Sequence, residues 1–320
     1  MLSSTYIARR RSNIFSGIQF VGTVFAALLG LAFGSFLNVC LSRLPEDENV
    51  AWPSSHCRTC DHTLAWWENL PLLSWIILRG RCHACRDWIG FRYPLVELAV
   101  GVCWAGCWIR FGADFFASAA TSEIDGKHPL MHSVTSLLGY AVLSWLLVAL
   151  AALDAEYFWL PDWITLPGIG LGFLFTLAHF KPIQAEPFAY FNGPRTLPQA
   201  AYWSALGIIA AGGLILVIRL IYWLVRRKEG MGLGDAKLMA MLAAWLGLSA
   251  AFETFALAIL TAAIFAIAWF GVLMIRKRFT ATGGWGSIPL PLGTFLACCA
   301  LTEIFFPNWF WTEWSRIFLP

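Results

Sequence analysis

The sequence predicts an all-α integral membrane protein with about eight transmembrane helices and a small cytoplasmic zinc-knuckle loop after the first of them. The chain is 59% hydrophobic and only 13% charged, whereas soluble domains carry about 25% charged residues. Its apolar runs are continuous and about as long as a bilayer is thick, which favours helices over the alternating strands of a membrane barrel. Two C-x2-C pairs on an Arg-rich loop between apolar runs indicate the metal site.

Apolar runs mark the helices along the chain. Seven runs come near the length needed to cross a bilayer, about 18 residues or more, and an eighth is shorter. They cover about residues 17–41, 94–111, 130–152, 163–180, 201–225, 251–275 and 287–306, with the shorter run at 236–249. The first run lacks a small-residue cleavage site, so we expect it to stay in the protein. We predict three parts: an N-terminal segment with the first helix (1–41), a polar loop (42–93) and a transmembrane body (94–320).

Positive charge in the short loops indicates the orientation, because cytoplasmic loops are enriched in Lys and Arg. A cytoplasmic cysteine loop puts more Lys and Arg on that side than on the other, although the cluster Arg9–Arg11 opposes this orientation. Eight crossings would then leave both termini outside. The short apolar stretch Leu70–Leu78 is bordered by tryptophans, and we expect it at the lipid interface. The net charge of +3 reflects membrane-flanking residues, and nothing suggests nucleic-acid binding.

Four cysteines form the predicted metal site: Cys57, Cys60, Cys82 and Cys85. Each C-x2-C pair places two thiolates on one tight turn, and two such turns can close the tetrahedral shell that zinc prefers. Disulfides or a redox dithiol are the alternatives, but structural disulfides are rare in the reducing cytoplasm. The neighbouring histidines are His56, His62 and His83. Because four thiolates fill the shell, we expect these imidazoles to be solvated or to support the ligands indirectly.

Two aspartates lie where apolar runs meet the predicted cytoplasmic face. Asp154 closes the third run, and Asp235 opens the short run within G-M-G-L-G-D. If helix packing brings the carboxylates to about 4 Å, they repel by about 4 kcal/mol at an effective dielectric of 20, or about three pK units. One would then hold a proton while the other is ionised, as hydrolysis with an activated water requires. Gly232 and Gly234 would allow a substrate backbone to come close to Asp235.

Other interpretations of these acids stay open at this point. Asp154 and Asp235 could be helix-end residues that bind backbone amides, or parts of an ion path. Asp162 follows Pro161 and competes for the catalytic role, but the pair is typical of a turn or N-cap that opens the fourth helix. Lys237 could pair with a carboxylate or extend towards lipid headgroups.

Several ordered motifs resemble those of a known family. G-S-F-L-N-V-C-L-S-R-L-P begins at Gly34, and the two C-x2-C pairs follow it. W-W-E-N-L-P-L-L-S-W-I-I-L-R-G-R-C begins at Trp66, and F-R-Y-P-L-V-E-L begins at Phe91. L-D-A-E-Y-F-W-L-P-D contains Asp154, and G-M-G-L-G-D-A-K-L contains Asp235. Together they resemble the type IV prepilin peptidases, the bifunctional leader peptidases and N-methyltransferases of type IV pilus and type II secretion systems.

The resemblance implies that Asp154 and Asp235 are catalytic and that the four cysteines bind zinc. Family members cleave a short basic leader from a prepilin or pseudopilin at the cytoplasmic face of the bacterial inner membrane. They then methylate the new N-terminal residue with S-adenosylmethionine. The cytoplasmic loop is associated with methyl transfer, and Gly80 matches a glycine of that segment. The expected cofactors are therefore zinc and S-adenosylmethionine, and the expected partners are the precursor and membrane lipid.

Three features depart from the usual motifs. Arg58 stands where the family usually has proline in C-P-x-C, and Glu68 replaces a common aspartate. The closing P-L-P-L-G-T-F-L-A is a variant of the usual P-F-G-P-F-L-A. Two other functions stay open: a peptidase without methyltransferase activity, and a zinc-containing membrane ion transporter that uses the two aspartates.

Overall fold

A computed structural model describes residues 4–112, 129–180, 196–228, 231–275 and 290–307. Within these ranges the structure is helical, and the only strand-like pairing consists of isolated bridges in the cysteine loop. The helices are α1 (Ser4–Arg43), α2 (Leu73–Ile77), α3 (Arg92–Cys107), α4 (Pro129–Tyr157), α5 (Asp162–Ala178), α6 (Leu197–Arg226), α7 (Leu233–Leu246), α8 (Leu248–Ile275) and α9 (Leu292–Phe305). Each predicted apolar run holds one of them. Residues 287–289 of the last run lie outside the described ranges, and α2 is an additional short helix.

Five of the described helices are long and apolar enough to cross a membrane: Gly17–Glu46, Arg92–Gly112, Met131–Tyr157, Leu197–Arg226 and Leu248–Val272. Two shorter apolar helices, α5 and α9, fall below that length. The exposed surface of the long helices is rich in large apolar side chains, such as Val21 and Ile209. These observations agree with a multi-pass membrane protein, whereas eight full crossings stay a prediction.

The chain packs as two compact units, Met1–Ala149 and Leu150–Pro320. In the first unit, α3 packs along α1. Close approach depends on glycines of α1: a Cβ on Gly30 would lie 2.8 Å from the Val100 carbonyl oxygen, and one on Gly34 would lie 2.6 Å from Glu97 Cα. Membrane helices associate through such small residues because lipid provides no hydrophobic drive between them.

The polar loop of the first unit begins with a 3-10 turn, Leu44–Glu46, at the end of α1. A second turn, Trp66–Asn69, and the short helix α2 follow. The apolar side chains of Leu73, Ile76 and Ile77 are more than half exposed. This exposure fits the expectation that the segment lies at the lipid interface, which stays a prediction.

In the second unit, α7 occupies the centre and packs against α5, α6, α8 and α9. It is buried almost continuously from Asp235 to Trp245. Polar groups at this depth are paired: Trp245 Nε1 donates to the Gly168 carbonyl at 2.8 Å, and Thr176 Oγ1 donates to the Ala244 carbonyl at 2.7 Å. The surrounding helices therefore hold α7, and its first turn, in a fixed position.

We expect Gly34→Val to lower the free energy of unfolding by about 1–3 kcal/mol, because overpacking a close helix contact forces the backbones apart. Gly17→Val is the matched control on the same helix, since a Cβ at Gly17 meets nothing within 4 Å. Both changes add a β-branched residue, so their difference isolates the packing effect. The free energy of unfolding of each purified variant is measured in detergent. Equal effects of the two substitutions would contradict the packing explanation.

Candidate active site and metal centre

The second unit brings together the two predicted aspartates. Asp154 lies in the last turn of α4, and Asp235 lies in the first turn of α7. They are 5% and 8% exposed. The two carboxylates are close enough for the charge of Asp154 to act on Asp235. Residues that are distant in the chain therefore form one buried acidic site.

The first turn of α9 holds the Asp154 carboxylate. Thr294 N donates to Asp154 Oδ2 at 2.7 Å. The Thr294 hydroxyl lies 3.1 Å from both Asp154 Oδ2 and the Ala151 carbonyl, so it can donate to either. The Gly293 N–H also hydrogen-bonds to this carboxylate. Ionised Asp154 thus has up to three donors from one helix N-terminus, where the helix dipole also favours negative charge.

The Asp235 carboxylate has a different environment. Its Oδ2 accepts one hydrogen bond from Gly232 N at 3.3 Å, which closes the start of α7. Each aspartate therefore binds backbone amides, as the structural alternative expected, and the two also lie within electrostatic range of each other. Asp154 therefore has more hydrogen-bond donors than Asp235, and such donors stabilise the ionised form of a carboxyl group.

Leu160 packs between the segments that carry these groups. A Cβ on Gly234 would lie 2.8 Å from Leu160 Cβ, and one on Gly293 would lie 2.9 Å from Leu160 Cδ1 and 3.0 Å from Asp154 Cγ. Both glycines are therefore needed for close approach inside the protein. Gly232 differs, because a Cβ there would come no nearer than 3.5 Å to Asp235 Oδ2. Of the two glycines before Asp235, Gly232 is the one with room beside it.

Asp162, the competing acid, opens α5 as predicted and forms an ion pair with Lys237. Its side chain is 60% exposed. A solvated carboxylate that is already paired with a cation is less suited to sharing a proton than the buried pair. Lys237 follows Asp235 by two residues, so this ion pair joins the starts of α5 and α7.

The first unit brings together the four predicted cysteine ligands. The sulfurs of Cys57 and Cys85 are 3.8 Å apart, and those of Cys60 and Cys82 are 4.0 Å apart. All four lie within 4.8 Å of one another. A tetrahedral site with Zn–S bonds of about 2.3 Å has edges of about 3.8 Å. The spacing fits zinc and is far longer than the roughly 2.05 Å of a disulfide bond.

Each C-x2-C pair lies in a knuckle with the same backbone hydrogen bonds. In the first knuckle, Cys57 N donates to the His62 carbonyl and Leu64 N donates to the Ser55 carbonyl. In the second, Cys82 N donates to the Asp87 backbone carbonyl, and Ile89 N donates to the Gly80 backbone carbonyl. Residues Asp61 and Arg86 occupy the left-handed conformation at matching positions. The sequence shows no clear repeat, because the backbone pattern recurs with different side chains.

Backbone groups of the first knuckle favour a thiolate. Burial opposes ionisation of Cys57, but hydrogen bonds from the backbone of Thr59 and Cys60 and from neighbouring thiols outweigh it and lower the pKa of Cys57 to about 7. One thiolate opposes the formation of others nearby. A bound dication is what would allow all four sulfurs to ionise together.

Glu68 joins the two knuckles. Its carboxylate is 1% exposed and lies 3.1 Å from His62 Nε2 and 3.7 Å from His83 Nδ1. Burial raises the pKa of Glu68, but the Ala65 N–H and the imidazoles outweigh it and hold this pKa below its ordinary value. These two histidines thus support the knuckles rather than facing only solvent. The three side chains could themselves hold a metal ion.

Two other residues singled out by the sequence have structural roles. Arg58 pairs with Glu46 at 2.6 Å and donates to the Ser42 carbonyl, which ties the first knuckle to the end of α1. Gly80 has a φ of +67°, and a Cβ there would lie 2.9 Å from the Trp75 ring. Glycine is the residue that accepts this conformation at low cost. A role of Gly80 towards a methyl donor stays a prediction.

The fold and these sites define a multi-pass helical membrane protein with a buried aspartate pair and a four-cysteine loop. Residues 28–111 match the bacterial peptidase A24 N-terminal domain, and residues 141–267 match the type IV leader peptidase family. The prepilin leader peptidase/N-methyltransferase of Stutzerimonas stutzeri is 33% identical over 298 residues, which cover 85% of this chain and 86% of the relative. No solved structure matches the chain.

Two further relatives bear the same name. The Klebsiella pneumoniae protein is 37% identical over 244 residues, covering 73% of this chain and 89% of the relative. The Myxococcus xanthus protein is 36% identical over 223 residues, covering 70% of this chain and 56% of the relative, so the match spans just over half of that longer protein. The chain belongs to the type IV prepilin peptidase family.

Proposed function

We propose that this chain cleaves the leader peptide of type IV prepilins or type II secretion pseudopilins with Asp154 and Asp235, and N-methylates the new N-terminal residue with S-adenosylmethionine. The relatives named prepilin leader peptidase/N-methyltransferase support both activities. The observation that supports the catalytic assignment is the burial of two carboxylates, on α4 and α7, that lie close enough to interact electrostatically. Buried acids that repel each other are suited to share one proton at neutral pH.

Unequal hydrogen bonding supports a different role for each aspartate. Asp154 is ionised and accepts a proton from the attacking water, whose oxygen bonds to the scissile carbonyl carbon. Asp235 is protonated and hydrogen-bonds to the carbonyl oxygen as negative charge develops there. Collapse of the tetrahedral intermediate breaks the C–N bond, and the proton taken up by Asp154 passes to the leaving amine. Gly232 is exposed and lies beside the Asp235 carboxylate, so the substrate backbone can approach Asp235 from this side.

Cys57, Cys60, Cys82 and Cys85 would hold a structural zinc ion. Because four thiolates would leave no position for water, the bound ion would supply folding energy and no Lewis-acid chemistry. The knuckles each have a closed set of backbone hydrogen bonds, and the polar loop has few large buried apolar side chains. A metal ion that joins the knuckles is therefore expected to order the loop.

The substrate explains why the acids lie at a helix end. A prepilin presents an apolar helix in the bilayer with a basic leader at its cytoplasmic end, so the scissile bond lies near the membrane surface. In the predicted orientation, the aspartates and the cysteine loop lie at the cytoplasmic face of the inner membrane. Membrane lipid surrounds the exposed apolar faces of the long helices.

We expect Asp154→Asn and Asp235→Asn each to reduce leader cleavage by at least about 10³-fold, because neither amide can exchange the shared proton. The leader-cleavage rate of Asp162→Asn should stay within about tenfold of the rate of the unsubstituted protein, since Asp162 is exposed and paired with Lys237. Purified variants are incubated with a synthetic prepilin in detergent, with and without S-adenosylmethionine, and product masses are read. Full cleavage by either variant of the pair would move the catalytic role elsewhere.

Substitutions of Thr294 test the assignment of Asp154 as the base. Thr294→Val removes the hydroxyl donor to Asp154, and Thr294→Pro removes both the hydroxyl and the N–H donor. Proline is also the residue at this position in the family's usual P-F-G-P-F-L-A motif. Proline is tolerated in the first turn of a helix, so both variants should fold. Because each lost donor makes the ionised form of Asp154 less stable, the acidic limb of the pH–rate profile should move to higher pH from the unsubstituted protein to Thr294→Val and further to Thr294→Pro. An unchanged profile for both variants would remove Thr294 from the site.

Each of the substitutions Cys57→Ser, Cys60→Ser, Cys82→Ser and Cys85→Ser should reduce bound zinc below one ion per chain, because a three-thiolate shell binds the metal more weakly. Cys298→Ser is the control, since Cys298 lies in α9 and is not among the clustered cysteines. Metal content is measured by mass spectrometry of the purified protein. Protease sensitivity of the loop should rise together with zinc loss. Stoichiometric zinc in all four variants would contradict the ligand set.

A further inference from the structure

Three side chains beside the four-cysteine cluster form a second group of metal-ligand types. His62, Glu68 and His83 each offer one ligand atom, and these three atoms lie within 4.8 Å of one another. His62 follows the first C-x2-C pair, His83 lies inside the second, and Glu68 lies in the turn Trp66–Asn69. The folded loop therefore brings two imidazoles and one carboxylate together from three separate segments.

The Glu68 carboxylate has one oxygen in use and one free. Its Oε2 accepts from Ala65 N at 2.7 Å and lies 3.1 Å from His62 Nε2. Its Oε1 is buried and has no hydrogen-bond partner among the described residues. Because the side chain is only 1% exposed, solvent does not satisfy this oxygen, and a buried acceptor without a partner is costly. A cation bound at Oε1 would remove that cost and leave the hydrogen bond from Ala65 intact.

His83 faces the free oxygen without bonding to it. Its Nδ1 lies 3.7 Å from Glu68 Oε1, which is too long for a hydrogen bond. The ring packs edge-on against Trp67, with 5.3 Å between the ring centroids. A tetrahedral ion with bonds of about 2.0–2.1 Å to nitrogen and oxygen separates its donor atoms by about 3.4 Å. The two imidazole–carboxylate distances, 3.1 and 3.7 Å, lie on either side of that value.

Exposure of the imidazoles gives an ion a route to this group. The side chains of His62 and His83 are 33% and 53% exposed, whereas the carboxylate between them is buried. Within the described ranges, the ion-pairing partners of Glu68 are these two histidines, and no Lys or Arg neutralises it. Two histidines and one glutamate leave a coordination position open for water, unlike a closed shell of four thiolates. Such a donor set suits divalent transition metals better than magnesium or calcium.

We infer that His62, Glu68 and His83 bind a second divalent transition-metal ion, with the properties of zinc, beside the four-cysteine site. His62 Nε2 would exchange its hydrogen bond to Glu68 for a bond to the ion, and His83 Nδ1 would complete the three protein ligands. This ion would join the two knuckles through their side chains and exchange with solvent more readily than the ion held by four thiolates. The inference requires neither leader cleavage nor methyl transfer.

Zinc loading of the full-length protein in detergent tests the inference. Zinc per chain is measured by mass spectrometry, and X-ray absorption at the zinc edge identifies the ligand atoms. We expect two ions per chain. The first should show sulfur ligands at about 2.3 Å, and the second should add nitrogen and oxygen ligands at about 2.0–2.1 Å. Protection of the loop from proteolysis should rise further as the second ion binds.

His83→Ala and Glu68→Gln should each weaken binding of the second ion at least about tenfold, because loss of a direct ligand costs no less than loss of an outer-shell partner. His56→Ala is the matched control. His56 also flanks the first C-x2-C pair, but its Nδ1 lies 3.0 Å from the Ser54 carbonyl and it is not part of the three-residue group. The sulfur-bound ion, measured on the same samples, shows whether each variant is folded.

The inference is supported if the second ion is present in the unsubstituted protein and in His56→Ala but lost in His83→Ala and Glu68→Gln. One zinc ion per chain in the unsubstituted protein overturns it, whatever the variants show. A second ion that both variants keep, or that His56→Ala loses equally, also overturns it. Because sulfur ligands report the first ion and nitrogen ligands the second, failure of the proposed four-cysteine site and failure of this inference are distinguishable.

Discussion

The cost of burying two carboxylates side by side is the constraint on which the second unit depends. A buried charge needs donors, and a second buried acid needs a proton. The first turn of α9 supplies the donors to Asp154, while Asp235 closes the start of α7 with a single amide. Leu160, Gly234 and Gly293 fit together closely around these groups. Because the surrounding helices enclose α7 almost completely, the relative position of the two acids is fixed by the packing of the whole unit.

The first unit depends on a different constraint, which is the ordering of the polar loop between α1 and α3. Two knuckles with matching backbone hydrogen bonds bring four sulfurs to the spacing of a zinc site. Glu68 joins the knuckles through His62 and His83, and Arg58 ties the first knuckle to α1. The same loop, with the C-terminal part of α1 and the start of α3, lines a cavity of about 250 Å³.

Much of this arrangement was accessible from residue patterns. Apolar runs located every long helix, because lipid demands continuous hydrogen-bonded apolar segments. The C-x2-C spacing predicted the sulfur cluster, because two thiolates on one turn are a local property. Asp162 opens its helix as Pro161 suggested. Thr294 was harder to find, because only the departure of its segment from the family's closing motif drew attention to it. No sequence pattern predicts its hydrogen bond to Asp154, which is 140 positions away in the chain.

The sequence by itself determined the membrane class, the helix positions, the sulfur cluster and the two candidate aspartates, because each depends on composition or on neighbours along the chain. Tertiary structure alone decided which side chain holds Asp154, why Gly234 and Gly293 lack side chains, and that Glu68 and Glu97 face a cavity. Those facts arise from contacts between helices that are remote in sequence. Their geometry is set by packing, which no local pattern records.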